Sequence, residues 1–222
     1  MLIEKLEELF ISNTPFAFSR FNDGEIGGLV QPNFIASRGA QIIDTNTGKL
    51  LLDALTYRQD NYWVGIPCEV CYPTYYSYAN ELVGDYKFKT LAVDLINRNY
   101  IATKSIFKRY LKDKNVHWVG GEDQNLSEVQ KEYNFKLISQ HNLPTTNSME
   151  AYDVVKNLHK EHLPGSVIIT SLGPLERILT KEWFQNNPKS TYLGLGSFFD
   201  PLTRNVEHGY HKGTTNSCTQ CN

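Results

Sequence analysis

SVIITSLGPLERILTKEWFQ, residues 166 to 185, begins as a strand and ends as a helix. SVIITSLG at 166–173 is a short apolar run rich in β-branched residues, the composition of a strand covered on both faces. Gly173 lets the backbone come close to a ligand, and Pro174 takes the first position of a helix, where a missing N–H costs nothing. PLERILTKEWFQNN at 174–187 continues as that helix, and TYLGLGS at 191–197 reads as the next strand.

The same alternation extends toward the N-terminus. NVHWVGG at 115–121 is a strand closed by two glycines, FKLISQ at 135–140 a second, YWVGIP at 62–67 a third stopped by Pro67, and FAFSR at 16–20 a fourth. Leu2, Leu6, Leu9 and Phe10 share a helical face that ends near Asn13. Further helices are predicted at 48–58, at 75–83 and, as a pair, between Leu91 and Leu111. Another is predicted after Asn147 or Ser148, with Ala151, Val154, Val155 and Leu158 on its apolar side. Strands alternating with helices predict an α/β, Rossmann-like fold: a mostly parallel sheet with helices on both faces. One domain is expected over 1–222, with an irregular tail from about residue 203.

Composition narrows the partners. The 222 residues are 41% hydrophobic and 21% charged, with a formal net charge of -2, the balance of a globular chain that buries a core. No run of Lys and Arg is dense enough to track a nucleic-acid backbone, so nucleic acid is not an expected partner. The N-terminus has no signal-peptide pattern, and no apolar run reaches the roughly 20 residues of a bilayer span. A cytoplasmic protein with no transmembrane segment is expected. Aromatic residues gather in YPTYYSY at 72–78, a surface suited to an acceptor sugar or to the second subunit of a homo-oligomer.

Ligands of such sheets bind beyond the C-terminal ends of the strands. Three polar loops follow predicted strands there: NDGE after FAFSR, SLGP after VIIT, and GSFFDP after TYLGL. Parallel strands would bring Arg20, Asp23, Glu25, Ser171, Gly173, Ser197 and Asp200 to one rim. Asp23 and Glu25, two carboxylates around a glycine, can hold a hard divalent cation such as Mg²⁺ or Mn²⁺, although DGE is also a common turn. The helix start at Pro174 offers N–H groups and a positive dipole end to a diphosphate. Arg38 can neutralise a diphosphate, and Asn147 and Ser148 can bond a ribose or sugar hydroxyl while capping a helix.

Cys68 and Cys71, with Cys218 and Cys221, form two C-x-x-C pairs that can together hold a structural Zn²⁺; reduced bystander thiols are the alternative. His117 lies in a buried strand pattern, whereas His159 and His162 sit at a helix end where a cation is favoured. No G-x-S-x-G, Walker P-loop or G-x-G-x-x-G occurs, so hydrolase, nucleotide kinase and dinucleotide dehydrogenase readings lack their usual support.

FSRFNDGE at 18–25 resembles the R-F/Y-G-D-G-E signature of the GT-D fold glycosyltransferases, a family first catalogued as a domain of unknown function. The resemblance continues in order through SRGAQ at 37–41, NSMEAY at 147–152, SLGPLERIL at 171–179 and YLGLGSFFDP at 192–201. It implies a GT-D type fold, with Asp23 and Glu25 as the D-x-E metal and diphosphate residues and Arg20 as a phosphate partner. It also implies transfer of a sugar from a nucleoside diphosphate sugar, most plausibly a uridine diphosphate (UDP) sugar, to a glycan or glycoconjugate acceptor. Asp200 is the candidate base for the acceptor hydroxyl. Two positions depart from the pattern: Asn22 stands where glycine is usual, which raises the question of a positive φ, and Gly194 stands where an aspartate is expected. Two alternatives use the same scaffold, a non-catalytic nucleotide-sugar or carbohydrate-binding protein and a metal-dependent phosphoesterase.

Overall fold

A computed structural model describes residues 2–31, 33–36, 41–85, 90–92, 99–208 and 211. The chain runs α1 (Leu2–Ile11), β1 (Ala17–Arg20), α2 (Asp23–Val30), β2 (Phe34–Ala36), β3 (Gln41–Ile43), α3 (Thr45–Thr56), β4 (Tyr62–Ile66), α4 (Pro73–Val83) and β5 (Thr90–Ala92). It continues through α5 (Tyr100–Leu111), β6 (Asn115–Gly121), α6 (Ser127–Tyr133), β7 (Lys136–Leu143), α7 (Tyr152–Val155), β8 (Val167–Ser171), α8 (Pro174–Asn186), β9 (Thr191–Gly194) and α9 (Asp200–Thr203). Seven strands form one sheet in the order β5-β4-β1-β9-β8-β6-β7, and β2 and β3 form a separate hairpin. Every pairing in the large sheet is parallel. The α/β, Rossmann-like sheet read from the alternation of strands and helices is therefore what the chain builds.

Pleating divides the strand residues between two cores. Ala17, Tyr62, Val64, Ile168 and Tyr192 face one side, where they meet Ile26 of α2, Leu51 and Leu55 of α3, Ala79 of α4 and Leu175 and Ile178 of α8. Phe18, Trp63, Trp118, Ile169 and Leu193 face the other, against Leu6 and Leu9 of α1, Phe107 of α5, Val129 of α6 and the pair Phe198 and Phe199. This two-sided burial explains why the strands read as continuous apolar runs rather than as alternation.

The connectivity places a crevice. β1 and β9 are neighbours in register, Ala17 opposite Tyr192 and Ser19 opposite Gly194. The chain leaving β1 enters α2 on the first face, whereas the chain leaving β9 carries Phe198 and Phe199 to the second. Exits that part in opposite directions leave the sheet rim open between them, the switch-point geometry at which α/β sheets bind ligands.

Three expectations are corrected. Of the pair of helices expected between Leu91 and Leu111, the second is α5; Leu91 and Ala92 belong instead to the edge strand β5, and residues 93–98 lie outside the described residues. NDGE is not an exit loop: α2 begins at Asp23, with Asn22 as its N-cap. The single helix after Asn147 is instead a 3₁₀ turn at Ser148–Ala151, the short α7, and a second 3₁₀ turn at Leu158–Lys160. Asn147 has φ 49°, a left-handed conformation that turns the chain rather than opening a regular helix, and Val154 is 78% exposed. Side chains take the carbonyls of this segment: Trp183 Nε1 donates to Lys156 O, and Asn187 Nδ2 donates to His159 O and His162 O.

Candidate functional site

Asn22-Asp23-Gly24-Glu25 forms the first turn of α2 because Asn22 and Glu25 stand three residues apart, the spacing of a capping pair. Asn22 N donates to Glu25 Oε2 at 2.9 Å, which folds the glutamate back over the helix start. Asn22 has φ -120°, ordinary extended backbone, so its replacement of the family's glycine requires no left-handed turn. Glu25 is buried, whereas Asp23 is exposed to the cleft. Loss of water around Asp23, and then the Glu25 charge, push its carboxyl up from the usual carboxylate range.

The strand-to-helix turn after β8 carries a second pair. Glu176 and Arg177 lie in the first turn of α8, and both are almost wholly buried. Glu176 accepts from Leu172 N at 2.8 Å and from Gly196 N at 3.0 Å, and it forms an ion pair with Arg177. Burial pushes its carboxyl up to about 6, opposed by the Arg177 guanidinium. Arg177 also donates to Gly173 O at 2.9 Å and lies 3.2 Å from Glu25 Oε1. One guanidinium thus ties the α2 start, the α8 start and the buried Glu176 together. Glu176 itself takes the Leu172 N–H, so this turn presents Ser171, Gly173 and Arg177 to the cleft.

Around the rim, Arg20 at the end of β1 donates from Nη1 to Leu195 O at 3.1 Å. Gly196 has φ 58°, and a Cβ there would lie 3.2 Å from Arg20 Nη1, so glycine serves both the turn and the guanidinium beside it. Ser171 Oγ donates to Gly196 O at 2.8 Å and accepts from Gln124 Nε2 at 3.0 Å. Ser148 is buried, its Oγ 2.9 Å from Leu172 O and its N–H donating to Gln41 Oε1 at 3.1 Å. Ser148 therefore fastens its segment to the β8 turn, and Asn147 makes no side-chain cap.

Asp200, the candidate base, sits in a network. Its Oδ1 accepts from Arg204 Nη1 at 2.7 Å, and its Oδ2 lies 3.1 Å from His208 Nε2. Arg204 Nε also donates to Asp123 Oδ2 at 2.8 Å. The Arg204 guanidinium, by hydrogen bond and charge, holds the Asp123 carboxyl below the usual range despite its partial burial.

These groups line one cleft of about 750 Å³ at the C-terminal rim. It gathers Arg20, Asp23, Glu25, Ser171, Gly173, Ser197 and Asp200, the residues that the loop argument assigned to one place, together with the candidates Asn22 and Ser148. Arg38, Cys218 and Cys221 lie outside the described residues; Cys68 is buried and Cys71 half-buried, past the end of β4. Among the described residues no group of three or more His, Cys, Asp or Glu side chains is placed to hold a metal ion.

Gln41, Asp123, Glu176, Arg177, Arg204 and His208 join the site without having been singled out. N-x-x-E at 22–25 was a legible capping signal, and the acid-base dipeptide inside SLGPLERIL was legible too. Nothing local marks the other four. His162 corrects an expectation: it is buried beside His117, Trp183 and Tyr192, and burial pushes its imidazole down to about 3, so no cation is favoured there.

An open parallel sheet with a polar cleft at its switch point defines an α/β protein whose cleft lies where such sheets bind ligands. Solved structures carry the comparison further. The chain shares its fold with a domain of unknown function 1792 described as having a distinct glycosyltransferase fold, at 18% identity over 97% of this chain and 88% of that one, with a TM-score of 0.69. It is likewise similar to a protein described as a new glycosyltransferase of that domain type from Streptococcus sanguinis, at 17% identity over 89% and 81% of the two chains and a TM-score of 0.65. A selenomethionine-substituted structure of the same domain matches at 18% identity, over 88% and 77% of the chains, with a TM-score of 0.63. No protein-family model matches the chain, and no curated protein does.

Proposed function

We propose that this protein is a glycosyltransferase that moves a sugar from a nucleoside diphosphate sugar, UDP-linked by the resemblance of its motifs, to a hydroxyl of a glycan or glycoconjugate. The observation that carries the reading is the cleft of this glycosyltransferase-type fold, whose lining brings Asp23 together with Arg20, Arg177 and Arg204. Sugar transfer from a diphosphate builds negative charge on the leaving group, and fixed cations in a recessed site stabilise that charge best.

Asp23 and Glu25 are the residues that would hold Mn²⁺ or Mg²⁺. They fit a hard cation: both offer carboxylate oxygens, and a cation beside Asp23 would offset the loss of water and the Glu25 charge that raise its carboxyl. When bound, the ion would neutralise diphosphate oxygens. Glu25 already serves Asn22 N–H and Arg177, so Asp23 is the carboxylate with open access. Arg20 and Arg177 bind and orient the phosphates, Ser171 and Gly173 shape the floor beneath them, and Ser197 lies at the same rim.

Thermal denaturation with a panel of nucleoside diphosphate sugars, with and without Mn²⁺, tests the reading, because a ligand of the native state raises the melting temperature by mass action. The expected result is a Mn²⁺-dependent rise for one donor that Asp23→Asn abolishes, followed by a lengthened acceptor in product analysis. Donor consumed at a rate indifferent to every acceptor would contradict transfer.

A further inference from the structure

Asp200 already holds a cation and a ring in place. Its two oxygens are committed, one to the Arg204 guanidinium and one to the His208 ring. The ring beside it can take a proton on one nitrogen while Asp200 keeps hold of the other. His208 lines the same cleft as Asp23, and 21% of its side chain is exposed.

The position of His208 is held from two sides. Its Nε2 lies 3.1 Å from Asp200 Oδ2. An ionised carboxylate only accepts, so in the neutral ring Nε2 carries the hydrogen and Nδ1 the basic lone pair. Its backbone N–H donates to His211 Nδ1 at 2.9 Å. His211 is buried against Tyr100, with ring centroids 4.7 Å apart, and burial holds its imidazole down at about 4, which keeps Nδ1 available as an acceptor. Among the described residues, the charged and titratable groups around His208 include Asp200, Arg204, Glu207 and His211, with Asp123 beyond Arg204.

We infer that His208, oriented by Asp200, is the residue that takes the proton from the acceptor hydroxyl, an inference that rests on the transferase reading. In a direct displacement the hydroxyl oxygen bonds to the anomeric carbon as the bond from that carbon to the diphosphate oxygen breaks. The electron pair of the broken bond leaves on the diphosphate, and the hydroxyl proton moves to His208 Nδ1. The resulting imidazolium faces Asp200, whose charge stabilises it as the carboxylate of a catalytic triad does. Asp200 is then a positioning residue.

Two measurements on the full chain test this. Nitrogen NMR of the His208 ring needs no donor: the Nε2–H tautomer is expected, and an Nδ1–H tautomer in the wild type would overturn the inference. The second uses the donor identified by thermal titration. His208→Ala should bind that donor as the wild type does and lower kcat by about 100-fold or more, the usual range for a lost general base. It should also lose the acid limb of the pH profile and regain rate with added imidazole. His208→Gln, which can keep the Asp200 hydrogen bond, controls for folding and should be equally slow. Wild-type turnover and an unchanged acid limb in both variants would remove His208 from the reaction and leave the transferase reading standing. Should the wild type turn over no donor in the panel, the transferase reading fails and the role of His208 falls with it.

Discussion

Arg177 Nη2 lies 3.2 Å from Glu25 Oε1, and neither side chain is more than 8% exposed. This contact joins the turn after β1 to the turn after β8, the two segments that carry the carboxylate and the cationic sides of the cleft. A third group, Glu176, shares the same guanidinium with no exposure at all.

Breaking such a buried group by removing one member leaves uncompensated charge, at a cost of roughly 3–5 kcal/mol. Arg177→Met should therefore lower stability by about 3 kcal/mol or more, since two carboxylates lose their cation. Arg177→Lys should recover little, because an ammonium cannot span Glu25, Glu176 and Gly173 O as the planar fork does. Guanidinium chloride unfolding of the three proteins checks this; a midpoint for Arg177→Met within error of wild type would contradict it.

Gly194 stands where the resembling family has an aspartate, and the structure gives the reason the acid is not simply missing. A Cβ at 194 would lie 3.4 Å from Glu176 Oε1 and 3.3 Å from Phe18 O, so Glu176 occupies that neighbourhood from α8. Gly194→Asp should destabilise by roughly 3 kcal/mol or more through a second buried charge. Adding Glu176→Gln should restore part of the loss, and equal stability of the single and double variants would refute the coupling.

His162 makes stability fall on the acid side. Its folded value near 3 lies below the ordinary 6.5, so the unfolded chain binds the proton more tightly. Stability from the neutral ring is whole above 6.5 and is lost as pH falls below it, by about 2 kcal/mol between pH 7 and pH 5. Glu176 acts in the opposite sense, because its raised carboxyl favours the protonated native state below about 6. The test is therefore a difference: unfolding free energies of wild type and His162→Phe, compared at the two pH values, should diverge by about that amount. Parallel pH dependence in the two proteins would show that His162 is not the group responsible.

The strands and the rim were legible in the chain because their signals are local. A run such as Val167–Ser171 is buried on both faces wherever the sheet puts it, and parallel order follows from alternation with helices. Arg20, Asp23, Ser171 and Asp200 therefore converge from sequence alone, since each ends a strand or follows one. What the chain could not announce is which polar groups are bound to one another. Glu176 and Arg177 look like the solvent face of a helix, and their burial depends on Glu25 and Gly196 arriving from other strands. The residues after Asn147 carry a helical apolar pattern, yet a left-handed Asn147 and donors from Trp183 and Asn187 divide them into short turns. His208 lies in a stretch with no periodicity at all, and only its contact with Asp200 and its place in the cleft lining single it out. Local pattern fixes elements because each residue's burial repeats along the chain, whereas the site is made of pairs distant in sequence, whose energies exist only once the sheet has brought them within hydrogen-bond reach.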